Sequence, residues 1–472
     1  MDLLKSKTIK NNIFNIALVF VYALLTFVLV LHHEVWSDEA QAWVLTRDCG
    51  FFELIKNVRV EGHPLLWYFL IMPFAKFVHC FNAVMCMQFL NWAFVVLGMA
   101  FFVFKSPFNN FVKTSVLFSS GFLYWYPVIA RNYCLIPLLI FLLAILYPKQ
   151  KEHPYWYILV LILLANTHVI MFGFCLALAL IFAYNSFKDK TKGQYIACSL
   201  LFISLLWLVF YLWGCWDDNL TVSVVHNSAS IVGVKKAFCE LVKNFFGFTN
   251  LFLSFLLGAF LLFISAIFYI NDKKIFFVFL INLLFQFSIY TFFWGILPQR
   301  AFTLILVVLF GLWIVRDSWW KSSFAKLFNI VFVVVLLCSF PNALKMSFYD
   351  YFNEYSGSKT SAKYIVDNIA DDAFILTNDP FMSVSVSAYI PNHKNRWKFY
   401  SDKYNDYFTY SSYSSSEAMK DFGLADVNEY LLKNKEIYVL LSRIYFVNIP
   451  AVWESQNNVY SQEHFKIYRL NK

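Results

Sequence analysis

The sequence predicts a mostly α-helical, polytopic membrane bundle of about eleven spans, with juxtamembrane helices and a C-terminal soluble α/β domain. Three observations predict it. Of the 472 residues, 60% are apolar and 14% charged, against roughly 45–50% and about 25% in ordinary soluble domains. The apolar residues recur in runs of roughly 17 to 25, the length of a helix that crosses a bilayer. After Phe340-Pro341 the composition turns polar and mixed in charge. The same arithmetic excludes a disordered chain, a collagen-like fibre and a small disulfide scaffold. The nine cysteines stand singly, with no C-x-x-C pair, so neither a disulfide framework nor a metal cage is expected.

Apolar runs lie near 13–31, 64–80, 82–104, 114–130, 133–147, 154–170, 171–186, 195–213, 246–270, 275–294, 300–315 and 325–343. The first is too long for the core of a signal peptide, and His32 to Trp36 offers no small-residue cleavage site, so it reads as a span. Basic loops mark the cytoplasmic side: the N-terminus with Lys5, Lys7 and Lys10, then Lys105 to Lys113, Lys149 to Lys151, Lys188 to Lys192, Lys273 with Lys274, and Arg316 to Lys326. These loops alternate cleanly if the 64–80 run, which contains Pro64, Pro73 and Lys76, is a juxtamembrane or re-entrant helix. That leaves eleven crossings, with the N-terminus inside and the C-terminus outside. Five segments then share the outer face: 32–81, the turn at Arg131, the turn at His168, the loop 214–245 and the turn 295–300.

Residues 1–343 hold 24 Lys/Arg against 14 Asp/Glu, and residues 344–472 hold 14 against 15. The basic excess behind the net charge of +9 therefore belongs to the membrane module, 1–343, where cytoplasmic loops require it, and calls for no nucleic-acid partner. The 344–472 segment is long enough to fold alone and is expected outside the cell as an α/β domain. Its pattern predicts helices over Ser361–Ala370 and Ala425–Lys433, strands over Ala373–Thr377, Glu436–Leu441 and His464–Leu470, and a Tyr/Ser-rich loop at 400–416. No internal repeat and no inverted pair of broken helices of the transporter kind is present.

The most informative stretch is Trp36-Ser37-Asp38-Glu39-Ala40-Gln41-Ala42-Trp43, followed by Glu61-Gly62-His63-Pro64-Leu65-Leu66-Trp67-Tyr68. One reading of Ser37-Asp38-Glu39 is a helix N-cap with acids in the first turn, which the helix dipole favours. The other is functional: acids flanked by Trp36 and Trp43, both suited to a membrane interface, sit where a lipid-borne substrate presents its head group.

This pair of motifs resembles the first outer loop of the C-type (GT-C) polytopic glycosyltransferases, the superfamily of the protein O-mannosyltransferases and the lipid A aminoarabinose transferase. The resemblance implies that Asp38 is the catalytic acid, with Glu39 beside it, and that the transfer is inverting. It extends loosely over the layout, a first helix, a large outer loop, many further helices and an outer C-terminal domain. Two departures stand out. The next outer turn, Tyr126-Pro127-Val128-Ile129-Ala130-Arg131-Asn132-Tyr133, has no carboxylate, and a Pro-Pro pair usual in the family is His63-Pro64 here.

Glycosyl transfer from a polyprenyl-phosphate sugar needs a carboxylate to take the acceptor's proton and cations to hold the departing phosphate. Arg131, His168 and Arg300 are basic residues at outer helix ends and can supply the second requirement; a long basic side chain there can also simply snorkel. Arg300 is the first choice, since a guanidinium matches phosphate oxygens in pairs. His63 reads as a proton-transfer or acceptor-positioning group or as a polar loop residue, and Glu61 beside it as a substrate contact. Two such ligands do not define a metal site, so no metal and no cofactor is expected. Asp217 and Asp218 read as a solvated loop.

The expected function is a membrane glycosyltransferase that moves a sugar from a polyprenyl-phosphate donor to a glycan, lipid or protein acceptor on the extracytoplasmic side, in a bacterial cytoplasmic membrane. The alternatives are a flippase of lipid-linked glycan and a non-catalytic membrane scaffold.

Overall fold

The computed structural model describes residues 2–213, 231–292, 295–316, 323–371, 373–377, 380–391, 397–399, 436–442, 450–456, 460–461 and 463–470. The expected helix at 425–433, the loop at 400–416 and the pair Asp217 and Asp218 fall outside the described residues.

In chain order the helices are α1 (Asp2–His32), α2 (Ser37–Asp48), α3 (Phe51–Val60), α4 (Leu66–Phe77), α5 (Met85–Lys105), α6 (Asn110–Leu117), α7 (Leu135–Leu146), α8 (Pro154–Ala165), α9 (Phe172–Asp189), α10 (Lys192–Trp213), α11 (Ile231–Phe246), α12 (Leu251–Asn271), α13 (Lys273–Phe292), α14 (Pro298–Ile314), α15 (Ser323–Phe352), α16 (Ser358–Asn368) and α17 (Pro380–Tyr389). The strands are β1 (Phe374–Thr377), β2 (Trp397–Phe399), β3 (Ile437–Ser442), β4 (Trp453–Glu454) and β5 (Phe465–Leu470). Among the described residues, eight helices are long and apolar enough to cross a membrane: Asn11–His32, Met85–Lys105, Asn132–Lys149, Val169–Asp189, Lys192–Trp213, Leu251–Asn271, Lys273–Phe292 and Ala325–Phe352. The chain is that of an integral membrane protein. Three apolar helices are shorter, Leu66–Phe77, Pro154–Ala165 and Pro298–Ile314. A helix of twelve residues such as α4 rises about 18 Å, well short of a hydrocarbon layer of roughly 30 Å.

Contacts divide the chain into two compact units, one of residues 1–28, 91–216 and 221–347, the other of 29–90, 217–220 and 348–472. The first is the helical bundle. In it α13 lies on α9, α7 on α8, α8 on α10 and α14 on α7. Faces that meet neighbours carry the fully buried side chains, such as Phe141, Tyr157, Phe174 and Phe310, while Phe202, Ile203, Phe210, Phe255 and Leu262 remain exposed on outward faces. That distribution suits a bundle whose solvent is lipid, because lipid tails leave apolar side chains unpenalised.

Three sequence expectations change here. The 114–130 run is not one continuous span but α6 followed by a π-helical turn over Gly121–Trp125. The hydroxyl of Ser119 donates to the carbonyl of Val116 at 2.8 Å, a local bond that competes with helix propagation. The 325–343 run extends to Phe352, through Pro341; one proline removes one N–H donor without ending a long helix. The segment expected as a loop over 214–245 holds the amphipathic helix α11, with Leu241, Val242, Phe245 and Phe246 buried and Lys235, Lys236 and Lys243 exposed.

The Gly121 turn is a sensitive point of this unit. A Cβ there falls 2.2 Å from Cγ of Phe302, a fully buried ring stacked on Phe245 at a centroid distance of 4.4 Å. With no space for the ring to yield, Gly121→Ala is expected to cost about 1–3 kcal/mol, read as a lowered thermal midpoint of the purified protein.

The second unit holds a five-stranded mixed sheet in the order β2-β1-β3-β5-β4. Strands β2, β1 and β3 run parallel, and β5 runs antiparallel to β3 and to β4. Strands β1, β3 and β5 stand where the sequence pattern put them, within a residue or two. Leu376, Ile437, Val439, Leu441 and Tyr468 form their core. Helices α16 and α17 pack on one another, and α17 packs on α2, so the unit's N-terminal helices and its C-terminal part share one core.

Candidate functional site

Asp38 and Glu39 stand in the first turn of α2 rather than at the end of the first helix, which stops at His32. The dipole reading of the sequence therefore describes the local structure: acids open α2 and Arg47 closes it, as the macrodipole favours. Ser37 is not the cap. Trp36 occupies that position in an extended conformation and gives no side-chain cap bond. The missing acceptor comes from far away in sequence, since Ser37 N–H donates to Oε1 of Glu463 at 2.7 Å.

The two acids point to different surroundings. Asp38 is half-exposed. Glu39 is fully buried, its Oε2 lying 2.9 Å from Nε2 of His33. Nδ1 of the same ring lies 2.8 Å from Oδ2 of Asp350, and all three side chains are sealed from solvent. A ring with a carboxylate on each nitrogen donates from both, so it is an imidazolium. Burial alone would lower its pKa; the carboxylates of Asp350 and Glu39 outweigh that and hold it up at about 10.

Further carboxyls nearby are also perturbed. Burial pushes Glu34 up to about 8, with Glu354 adding repulsion. Among the described residues its Oε2 meets no hydrogen-bond partner. Burial pushes Glu463 up to about 7, against the bonds it accepts from Ser356 and Ser37. All three groups, His33, Glu34 and Glu463, bind their proton more tightly folded than unfolded. Their stabilisation is thus complete below the ordinary values and is lost as pH rises through about 7, 8 and 10. The thermal midpoint is expected to fall steadily between pH 5 and pH 9, and Glu463→Gln should flatten that slope around neutrality.

Helix α2 is held along its length. At its C-terminal end Arg47 Nη1 donates to the carbonyls of Ser387 (3.0 Å) and Ile390 (3.3 Å). Lys76, on α4, donates to the carbonyls of Arg47 and Cys49 at 2.9 and 2.6 Å. Gly62, at φ +70°, allows the left-handed turn that leads from α3 toward α4. Glu61 sits before it with both oxygens engaged, accepting from Gln41 Nε2 at 2.8 Å and from Tyr68 Oη at 2.7 Å. His63 follows, half-exposed. Within this unit the structure thus brings Glu61 onto α2, three residues after Asp38 in that helix.

The basic residues lie in the helical unit, and the structure joins two of them through a residue the sequence reading missed. Tyr133 Oη lies 2.8 Å from Nε2 of His168 and accepts from Nε of Arg300 at 2.8 Å. The Tyr133 and His168 rings stack at 4.5 Å. Nδ1 of His168 accepts from the Ile170 N–H at 3.1 Å, so the ring proton sits on Nε2 and points at Tyr133. His168 therefore acts as an oriented donor rather than as a cation. Tyr133, accepting from both neighbours, keeps its own O–H to donate.

Arg300 opens α14, nearly buried at 8% exposure, with Nη1 donating to Gly295 O at 2.6 Å. Its backbone carbonyl accepts from Tyr290 Oη (3.0 Å) and Thr303 Oγ1 (2.6 Å). Arg131, two residues before Tyr133, is half-buried. Its turn is fixed by Asn91, which accepts from Arg131 N–H (3.2 Å) and donates to the carbonyls of Tyr126 (2.9 Å) and Pro127 (3.0 Å).

The fold of the chain is similar to that of solved structures with little sequence identity to it. The particular likeness is to two crystal structures of ArnT from Cupriavidus metallidurans. The apo structure aligns with a TM-score of 0.56 at 10% identity, and the structure bound to undecaprenyl phosphate aligns with a TM-score of 0.53 at 9% identity; each alignment covers 96% of this chain and 97% of that one. No protein-family model and no curated protein matches the sequence.

Proposed function

We propose that the protein is an inverting membrane glycosyltransferase that takes a sugar from a polyprenyl-phosphate carrier and gives it to an acceptor on the extracytoplasmic face. The observation that carries the reading is the Asp38 turn: a half-exposed carboxylate at the opening of α2, in a segment that resembles the first loop of the glycosyltransferase pattern, on a chain whose fold is similar to that of ArnT. The bound undecaprenyl phosphate of the ArnT structure supports a lipid phosphate as the carrier.

In the proposed reaction Asp38 takes the proton of the acceptor hydroxyl, whose oxygen bonds to the anomeric carbon. The bond from that carbon to the phosphate oxygen breaks, and the polyprenyl phosphate leaves as an anion. Arg300 and Arg131 stabilise that charge, with Tyr133 donating its O–H and His168 orienting Tyr133 through Nε2. Glu39 holds the turn instead of reacting, because its carboxylate is sealed against His33. Glu61 and His63 serve the acceptor side. The proposed layout is eleven crossings in residues 1–343, with 344–472 extracytoplasmic in a bacterial cytoplasmic membrane.

The test is transfer by purified protein in lipid discs, using a panel of labelled sugars on polyprenyl phosphate. Label is expected in the acceptor with at least one donor. Turnover of none would favour a flippase or a scaffold. For sidedness, a reporter fused after Lys472 is expected to signal from outside the cell, and a cytoplasmic signal would break the alternation inferred from the lysine-rich loops.

A further inference from the structure

Alternate residues of the segment that leads to Asp38 are tied, one by one, to distant parts of the second unit. His33 bonds Asp350 and Glu39 through its ring, and its carbonyl accepts from Gln88 Nε2 at 3.1 Å. Val35 N–H donates to Tyr389 Oη at 2.7 Å, and Val35 O accepts from Ser358 Oγ at 2.8 Å. Ser37 N–H donates to Glu463, whose second oxygen accepts from Ser356 Oγ at 2.7 Å and whose carbonyl accepts from Gly357 N–H at 3.0 Å. Glu39 closes the series on His33, and its Oε2 also lies 3.5 Å from the Trp36 N–H. The ring of Tyr355 covers His33 edge-on at 4.6 Å.

A helix start leaves four N–H groups without intrahelical partners, and a capping side chain ordinarily supplies one acceptor to them. Here four anchors from residues 350, 358, 389 and 463 converge on seven residues, and three of the groups involved, His33, Glu39 and Asp350, are charges hidden from water. Burying such charges costs stability unless they are paired, so the arrangement specifies a position more than it strengthens a fold.

We propose that His33, Asp350 and Glu463 are positioning residues that aim Asp38. His33 and Asp350 fix the residue after it, through Glu39, and Glu463 fixes the residue before it, through the Ser37 N–H. The inference rests on Asp38 being the base. A misplacement of about 1 Å at a reacting group costs on the order of 100-fold in rate, which is the effect the anchors prevent.

The experiment compares leucine with amide replacements in the full-length protein, well below each variant's thermal midpoint. His33→Leu, Glu39→Leu and Glu463→Leu are each expected to lower kcat by about 30- to 100-fold, while KM for the lipid donor stays within about threefold. Glu39→Gln keeps an oxygen for His33, and Glu463→Gln keeps one for Ser37. Each is expected to recover at least about tenfold of what its leucine counterpart loses. A purely structural role would lower the thermal midpoint and leave kcat of the folded protein unchanged, which overturns the proposal. Glu39→Gln as inactive as Glu39→Leu would also overturn it, making that carboxylate a reacting group. Should His33→Leu not fold, the two Glu463 variants carry the same comparison. Full turnover by Asp38→Asn would instead remove the base, a result distinct from any of these.

Discussion

Asp38→Asn is expected to reduce turnover by at least about 1,000-fold, with donor binding changed by no more than a few fold. The amide has the shape of the carboxylate but cannot accept the hydroxyl proton as attack proceeds. The loss should therefore appear in kcat, where interactions confined to the transition state register. Because Asp38 is half-exposed, the change should alter stability by less than about 1 kcal/mol. An inactive variant with a wild-type thermal midpoint thus reports chemistry rather than unfolding. Wild-type turnover would exclude Asp38 as the base.

The second large effect is at Arg300. Its guanidinium holds Tyr133 through Nε and the Gly295 carbonyl through Nη1, and in the proposed reaction it faces the developing charge of the leaving phosphate. Arg300→Ala is expected to lower kcat/KM for the lipid donor by about 1,000-fold, a loss typical of an electrostatic stabiliser in a water-poor site. Arg300→Lys keeps the charge but not the planar fork and cannot hold Tyr133 and Gly295 together. It should recover activity only to within about 10- to 100-fold of wild type. Equal activity of the lysine and wild-type proteins would show that a point charge suffices. Equal activity of the alanine variant would remove Arg300 from the leaving-group site.

Much of this was legible in the sequence because it rests on local pattern. Long apolar runs give the membrane helices, since a spanning helix must satisfy its own backbone and present apolar side chains along its length. Buried strands such as AFILT and EIYVLL announce themselves by β-branched and aromatic runs between polar breaks. The start of α2 was legible as acids in a first helical turn, whereas α3 and the serine-rich α17 are short and carried no expectation; α2 is held by packing on α17 and on α4. The π-helical turn at Gly121 depends on Phe302, almost two hundred residues away, and no local signal reports that partner.

The candidate site divides in the same way. The acids of W-S-D-E-A stand out because carboxylates are rare in so apolar a chain. Their unlike fates, Asp38 half-exposed and Glu39 sealed, depend on His33 meeting Asp350 across 317 positions, which only the folded chain displays. Tyr133 was hidden for the opposite reason: in a sequence with 28 tyrosines one more at a helix end carries no signal until Arg300 and His168 are seen on its hydroxyl.

The most direct test of the account is a stoichiometry. Purified wild-type protein in sealed vesicles is supplied with polyprenyl phosphate carrying a doubly labelled sugar and lipid, and both labels are followed through a single turnover. Transfer predicts one free polyprenyl phosphate released for each sugar found on acceptor, and no such release with Asp38→Asn. Sugar that crosses the bilayer still joined to its carrier, with no lipid phosphate set free, would contradict it.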